Sequence, residues 1–237
     1  MKLEFQYGTK RIEFNLEYRK RKTVGISIEA PDVVNVAAPD GMKEDDVLET
    51  VKKKASWIMQ KLFLLNSVET TPVKREYVNG ESFMYFGRNY SLQIIVDENV
   101  KKPEVRLFRG KFCVTVNKKD DALIKKTMEE WYRRKTYEKV EERLEYYQRF
   151  FTKKPNAIKV KEQKKRWASC TSKDELLFNW RCAMARADAF DYILVHEMCH
   201  LYHKNHSKDF WNLVAKVMPD YEKRREWLKK YGVRMDL

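Results

Sequence analysis

Every histidine of this 237-residue chain lies between positions 196 and 206, in the run His196-Glu197-Met198-Cys199-His200-Leu201-Tyr202-His203-Lys204-Asn205-His206. One satisfied core histidine is ordinary; four crowded into one stretch point to shared chemistry. His196 and His200 are four residues apart, so on a helix both rings share a face one turn apart, the geometry two ligands of one zinc ion require. Glu197 stands beside the first of them, where a carboxylate can take a proton from a water at the metal and return it to a leaving amine. The H-E-x-x-H pattern is short and arises by chance. It gains weight here because Leu194, Met198 and Leu201 fall on the opposite face, so the helix can bury one side and line a cleft with the other. The competing reading is a surface helix with incidental histidines.

A catalytic zinc takes a third protein ligand and leaves one position open for water. His203 and His206 compete for that role. In a straight helix His206 lies about 9 Å beyond His200 along the axis, so it reaches the metal only if the helix stops and the chain turns back. Lys204-Asn205 offers that stop, because asparagine tolerates the left-handed conformation that ends helices. His203 keeps the metal face but sits about 4.5 Å past His200. His206 is the preferred third ligand, with His203 otherwise lining the cleft.

The rest of the chain reads as mixed α+β. Ile12, Phe14, Leu16 and Tyr18 recur at period two, as do Val24, Ile26 and Ile28, and Val33–Ala37 forms a third run closed by the turn Pro39-Asp40-Gly41. Residues 44–65 switch to helical spacing through Val47, Val51, Ile58, Leu62 and Leu65. Strands return at 82–86, 90–96 and 104–116, followed by a long helix over 120–150. After Pro155 come short strands around Ile158–Val160, Arg166–Cys170 and Glu175–Trp180. A helix capped by Asp188, another capped by Ser207 and a last one opened by Pro219-Asp220 complete the chain. The expected organisation is a β-rich region with one helix over 1–118 and a catalytic region over 119–237. The strands at Arg166–Cys170 and Phe178–Trp180 immediately precede the metal helix, so either is expected to border the cleft and pair with an extended substrate. Arg166, Trp167 and Asn179 are the candidate cleft residues.

Neither an apolar leader nor a membrane-length apolar run occurs, which gives the expectation of a cytoplasmic protein without membrane contact. Cys113, Cys170, Cys182 and Cys199 form no C-x-x-C pair and read as free thiols. The formal net charge of +14 suits a polyanionic partner. It is concentrated in Arg19-Lys20-Arg21-Lys22 and in Lys153, Lys154, Lys159, Lys161, Lys164, Lys165 and Arg166, a candidate DNA contact or simply a solvated face.

The runs Arg166-Trp167-Ala168-Ser169-Cys170, Phe178-Asn179-Trp180-Arg181, Val195-His196-Glu197-Met198-Cys199-His200-Leu201, His203-Lys204-Asn205-His206-Ser207 and Phe210-Trp211 together resemble the YgjP-like metallopeptidase domain family. The N-terminal runs Arg19–Thr23, Val36–Pro39, Trp57-Ile58, Gly80-Glu81 and Tyr85–Arg88 fit the same family. Ala168 stands where the family pattern has glycine. The family is similar to the SprT and WLM groups of zinc peptidases, whose members act on proteins crosslinked to DNA. The resemblance implies a zincin-like core with an active-site helix beside a small sheet. It also implies zinc on His196, His200 and His206, Glu197 as general base, and protein or peptide as substrate. Two other functions compete: a nucleic-acid-associated module whose zinc is structural, and a hydrolase of a non-peptide bond. Glu197 speaks against the first, since a structural site has four protein ligands and no use for an adjacent carboxylate.

Overall fold

The computed structural model describes residues 1–29, 33–66, 75–163 and 166–237. They form two compact units, Met1–Pro72 and Val73–Leu237. The boundary expected near residue 118 lies inside the second unit.

In the first unit, strands β1 (Lys2–Tyr7), β2 (Lys10–Arg19), β3 (Gly25–Glu29) and β4 (Val33–Pro39) form one sheet in the order β1-β2-β4-β3. Of the alternating positions predicted for β2, Ile12, Phe14 and Leu16 are buried while Tyr18 is exposed, and in β4 Val34 and Val36 are buried. Strand β1, built on Leu3, Phe5 and Tyr7, adds an antiparallel neighbour to β2 that the periodicity reading passes over. The predicted helix over 44–65 is two helices, α1 (Glu44–Lys52) and α2 (Ala55–Asn66). The break is a tightened turn in which the Lys54 amide bonds the Val51 carbonyl three residues back, at 2.9 Å. With that turn, Val47, Val51, Ala55 and Ile58 are all buried.

In the second unit, β5 (Ser82–Tyr85), β6 (Arg88–Val96), β7 (Glu104–Phe108) and β8 (Lys111–Val116) make a sheet ordered β5-β6-β8-β7. The long helix α3 (Asp121–Gln148) is capped by Asp120, whose carboxylate accepts the Leu123 amide at 2.9 Å. Its buried residues Met128, Trp131 and Tyr132 join Phe83, Leu92 and Phe112 in one core. The same helix reaches the second sheet's neighbourhood, where the Thr136 hydroxyl donates to the Trp180 carbonyl at 2.8 Å. Because α3 belongs to both packings, residues 82–116 share a core with the histidine-bearing segment.

That second sheet holds β9 (Ala157–Lys161), β10 (Ala168–Cys170) and β11 (Glu175–Asn179) in the order β10-β11-β9. Strand β10 is an edge and packs against α4 (Ala187–Cys199). A single-turn 3₁₀ segment, Trp180–Met184, joins β11 to α4. The β5–β6 turn hooks onto this segment through the Phe86 and Gly87 amides, which bond the Ala183 and Met184 carbonyls at 2.8 and 3.1 Å. Gly87 has a φ of +73°, and a Cβ there would stand 2.9 Å from the Arg186 backbone, so only glycine fits. Helices α5 (Lys208–Val217) and α6 (Tyr221–Tyr231) close the unit. Asp188 does not cap α4: Arg186 is the preceding residue, and Asp188 sits in the first turn with its carboxylate 2.7 Å from the Arg186 guanidinium. Ser207 caps α5 as expected, accepting the Phe210 amide. No helix among the described residues is long and apolar enough to cross a membrane.

Candidate metal centre

Helix α4 carries Leu194 and Met198 into the core, fully buried, which turns His196 and His200 toward the opposite side. The helix ends at Cys199, with the second histidine, His200, as its C-cap, earlier than Lys204-Asn205. Over His200, Leu201 and Tyr202 the amides bond carbonyls three residues back, at 3.1–3.2 Å, and Asn205 adopts no left-handed conformation. The corner is held from outside. The Lys153 ammonium donates to the Leu201 carbonyl at 2.8 Å, completing a helix end that lacks its own donors. The Tyr202 hydroxyl accepts the Thr152 and Lys153 amides at 2.8 and 2.7 Å. Lys204 crosses to the β10–β11 turn, pairing with Asp174 and donating to the Thr171 carbonyl at 3.3 Å.

The chain therefore turns back, and His206 arrives beside the helix. The ligand atoms of His196, His200 and His206 lie within 4.8 Å of one another. The Nε2 atoms of His196 and His206 are 3.0 Å apart, against about 3.3 Å for two nitrogens on a tetrahedral zinc. The His200 Nδ1 is 2.8 Å from the His203 carbonyl. A carbonyl only accepts, so Nδ1 carries the proton and Nε2 offers its lone pair to the centre. His196 Nδ1 faces the Tyr192 hydroxyl at 3.4 Å. Phe210 and Trp211 of α5 pack edge-on and face-on against these rings and fix their planes. His203 thus contributes its backbone, while its ring stays outside the three-histidine group.

Burial holds His196 far below the ordinary imidazole range, at about 3, and the neighbouring histidines and Arg225 press the same way. His200 is lowered too, again chiefly by burial. Both rings are therefore neutral at physiological pH, the form that binds a metal. Glu197 is 5% exposed, and its Oε2 is buried with no hydrogen-bond partner. Burial pushes its carboxyl up to about 8, opposed by the charge of Arg166 and the Cys170 amide on β10. A buried carboxylate oxygen left without a partner beside three converging imidazole nitrogens fits a cation and its water.

The model of one protein family, the YgjP-like metallopeptidase domain, matches residues 22–231. This chain belongs to that family. As a member of a metallopeptidase family it is a metal-dependent hydrolase, and the three histidines can hold the metal. A crystal structure of the metallopeptidase zymogen of Pyrococcus abyssi abylysin is similar over 41% of this chain and 99% of that one. The identity there is 21% and the TM-score 0.37. A comparison with curated proteins gives no match.

The remaining candidates in this YgjP-like domain separate by role. Trp167 is half-buried between two cavities, one of 430 Å³ with Arg166 and Asn179 on its wall and one of 250 Å³ reaching His196 and Glu197. Its indole abuts Gly232, where a Cβ would stand 2.6 Å from the ring. Asn179 is buried and spends its amide on the backbone: Nδ2 donates to the Gln163 and Arg166 carbonyls, and Oδ1 accepts the Arg181 amide. It fixes the loop that carries Arg166 rather than offering a free group to the cleft. The basic run is partly spent on structure, with Lys153 on Leu201 and Lys159 paired to Glu175 at 2.7 Å. Lys164 and Lys165 lie outside the described residues. All four cysteines are free. The sequence reading missed Tyr192, although its position four residues before His196 was a signal. It named Lys153 only as part of the basic run and Lys204 only as part of a helix stop, and it missed Arg225, which nothing distinguished among 49 lysines and arginines.

Proposed function

We propose that this protein is a zinc-dependent peptidase with a zincin-like core, in which His196, His200 and His206 bind zinc and Glu197 is the general base. What supports the reading is the convergence of three imidazoles on one point beside the unpartnered Oε2 of Glu197. Neutral nitrogen donors suit zinc. Three protein ligands, with no fourth in the group among the described residues, leave the open position that a catalytic rather than a structural site needs. Zinc bound there would act as a Lewis acid that makes water acidic near neutral pH.

Glu197 is raised toward neutrality by burial, so its Oε2 can take a proton from the attacking water and deliver it to the leaving amine. A bound cation stabilises the ionised carboxylate and brings it into the base form. Strand β10 is a sheet edge packed on α4, with its Cys170 amide reaching Glu197, so an extended peptide added to that edge would run past the reacting groups.

Elemental analysis of protein purified without chelators tests the reading, alongside hydrolysis of an unfolded protein substrate. One zinc per chain is expected, lost in His196→Ala, His200→Ala and His206→Ala. Glu197→Gln is expected to keep zinc and lose at least about a hundredfold in turnover. Absence of stoichiometric metal, or wild-type turnover in Glu197→Gln, would overturn it.

A further inference from the structure

Helix α6 brings Arg225 to the 250 Å³ cavity that ends on His196 and Glu197. The walls between them are apolar, formed by Trp167, Tyr192, Ile193 and Leu228. Arg225 is half-buried, its Nε is buried without a hydrogen-bond partner, and no ion pair among the described residues involves it. This is unusual within the chain itself. Every other half-buried arginine among the described residues, namely Arg75, Arg133, Arg143, Arg181 and Arg224, is paired with a carboxylate. Lys229, the other cation on this cavity, is paired with Glu226. Arg225 instead rests its guanidinium over the faces of Trp211 and Tyr221, 5.2 and 5.8 Å from the ring centroids. Aromatic support fixes the fork in place without using its donors, so its terminal Nη groups remain available to an incoming anion.

We propose that Arg225 is a carboxylate receptor, binding an anionic group of the peptide in the cavity beside His196 and Glu197. The proposal rests on the peptidase reading above and specifies its substrate. The cavity combines an apolar wall with a planar cation at one side and the reacting groups at the other. That suits a residue with a carbon stem and a carboxylate tip, or a chain end bearing a free carboxylate. A site that leaves a guanidinium unpaired when the neutral isostere binds rejects that isostere strongly.

The test uses the zinc-loaded full chain and decapeptides of one parent sequence. Each peptide carries a single Glu or Gln at a chosen position, with the C-terminus either free or amidated. Cleavage is followed by mass spectrometry. Binding is followed by tryptophan fluorescence on Glu197→Gln, since Trp167 and Trp211 flank the site. Wild type is expected to favour the carboxylate member of a pair by about tenfold or more. The Glu/Gln pairs report a side-chain source and the acid/amide pairs a chain-end source. In Arg225→Gln the ratio within the pair collapses toward one, in Arg225→Lys it is partly kept, and in Arg225→Glu it inverts. A merely structural loss would lower both members together and leave the ratio intact. Equal handling of both members by wild type, or a preference that survives in Arg225→Gln, overturns the proposal. If carboxylate-selective, Arg225-dependent binding persists while no peptide is cut, the peptidase reading fails and the receptor stands.

Discussion

At the scale of single residues, Glu197 and the histidines set opposite pH responses in the metal-free protein. Glu197 keeps its proton to about pH 8 in the fold but only to about 4.5 in the unfolded chain. Over that interval folding takes up a proton, so stability falls as pH rises. His196 stays neutral in the fold down to about pH 3, against 6.5 when unfolded, so its contribution makes stability rise with pH across that range. His200 acts in the same direction. Above the ordinary histidine range the Glu197 slope stands alone, and from about pH 6.5 to 8 it amounts to about 2 kcal/mol at most. Chelator-treated wild type should therefore lose Tm across this window, and Glu197→Gln should not. A flat wild-type profile would show that the carboxyl is ionised in the metal-free fold.

At the scale of elements, the decisive object is the corner between α4 and α5. The pattern of apolar positions located α4 and the long α3, because each buries a face at helical spacing, while α5 was located by its cap, Ser207. It also placed β2, β4 and β8, whose inward residues alternate. It could not locate the end of α4, which is set by contacts between the corner and other segments, Lys153 on Leu201, Tyr202 on the Thr152 and Lys153 amides and Lys204 on Asp174; contacts that distant in sequence leave no local period. The same holds for Asn179, whose amide serves a loop thirteen to sixteen residues upstream. Lys204→Met removes the tie to Asp174 and Thr171 and should loosen the delivery of His206. Zinc affinity, measured by competition with a chromophoric chelator, should fall about tenfold, with the metal-free Tm almost unchanged. Ser207→Ala removes the α5 cap and should cost about 1 kcal/mol in denaturant unfolding. Unaltered zinc affinity in Lys204→Met would mean that the corner holds without its outer tie.

At the scale of the whole molecule, each compact unit has its own buried cluster: one around Phe14, Val36 and Ile58, the other around Trp131, Phe178 and Leu194. A fragment spanning 73–237 should then fold cooperatively and bind zinc, as judged by circular dichroism melting and metal content. A fragment that stays unfolded with zinc present would show that the first unit is required for folding. The cores were legible as alternation and helical spacing. The cleft was legible through its histidines, Glu197 and Trp167, whereas the arginine on its far wall looked like any other surface cation. The placement of all three proposed ligands between positions 196 and 206 has one more consequence. Gathering them closes only a short loop, which costs little chain entropy even in an unfolded polypeptide. A zinc ion held by these three histidines would therefore also find them within easy reach of one another in the unfolded chain. For the same reason, added zinc should raise the melting temperature by less than its affinity for the native state predicts, because part of that affinity is already spent on the unfolded chain.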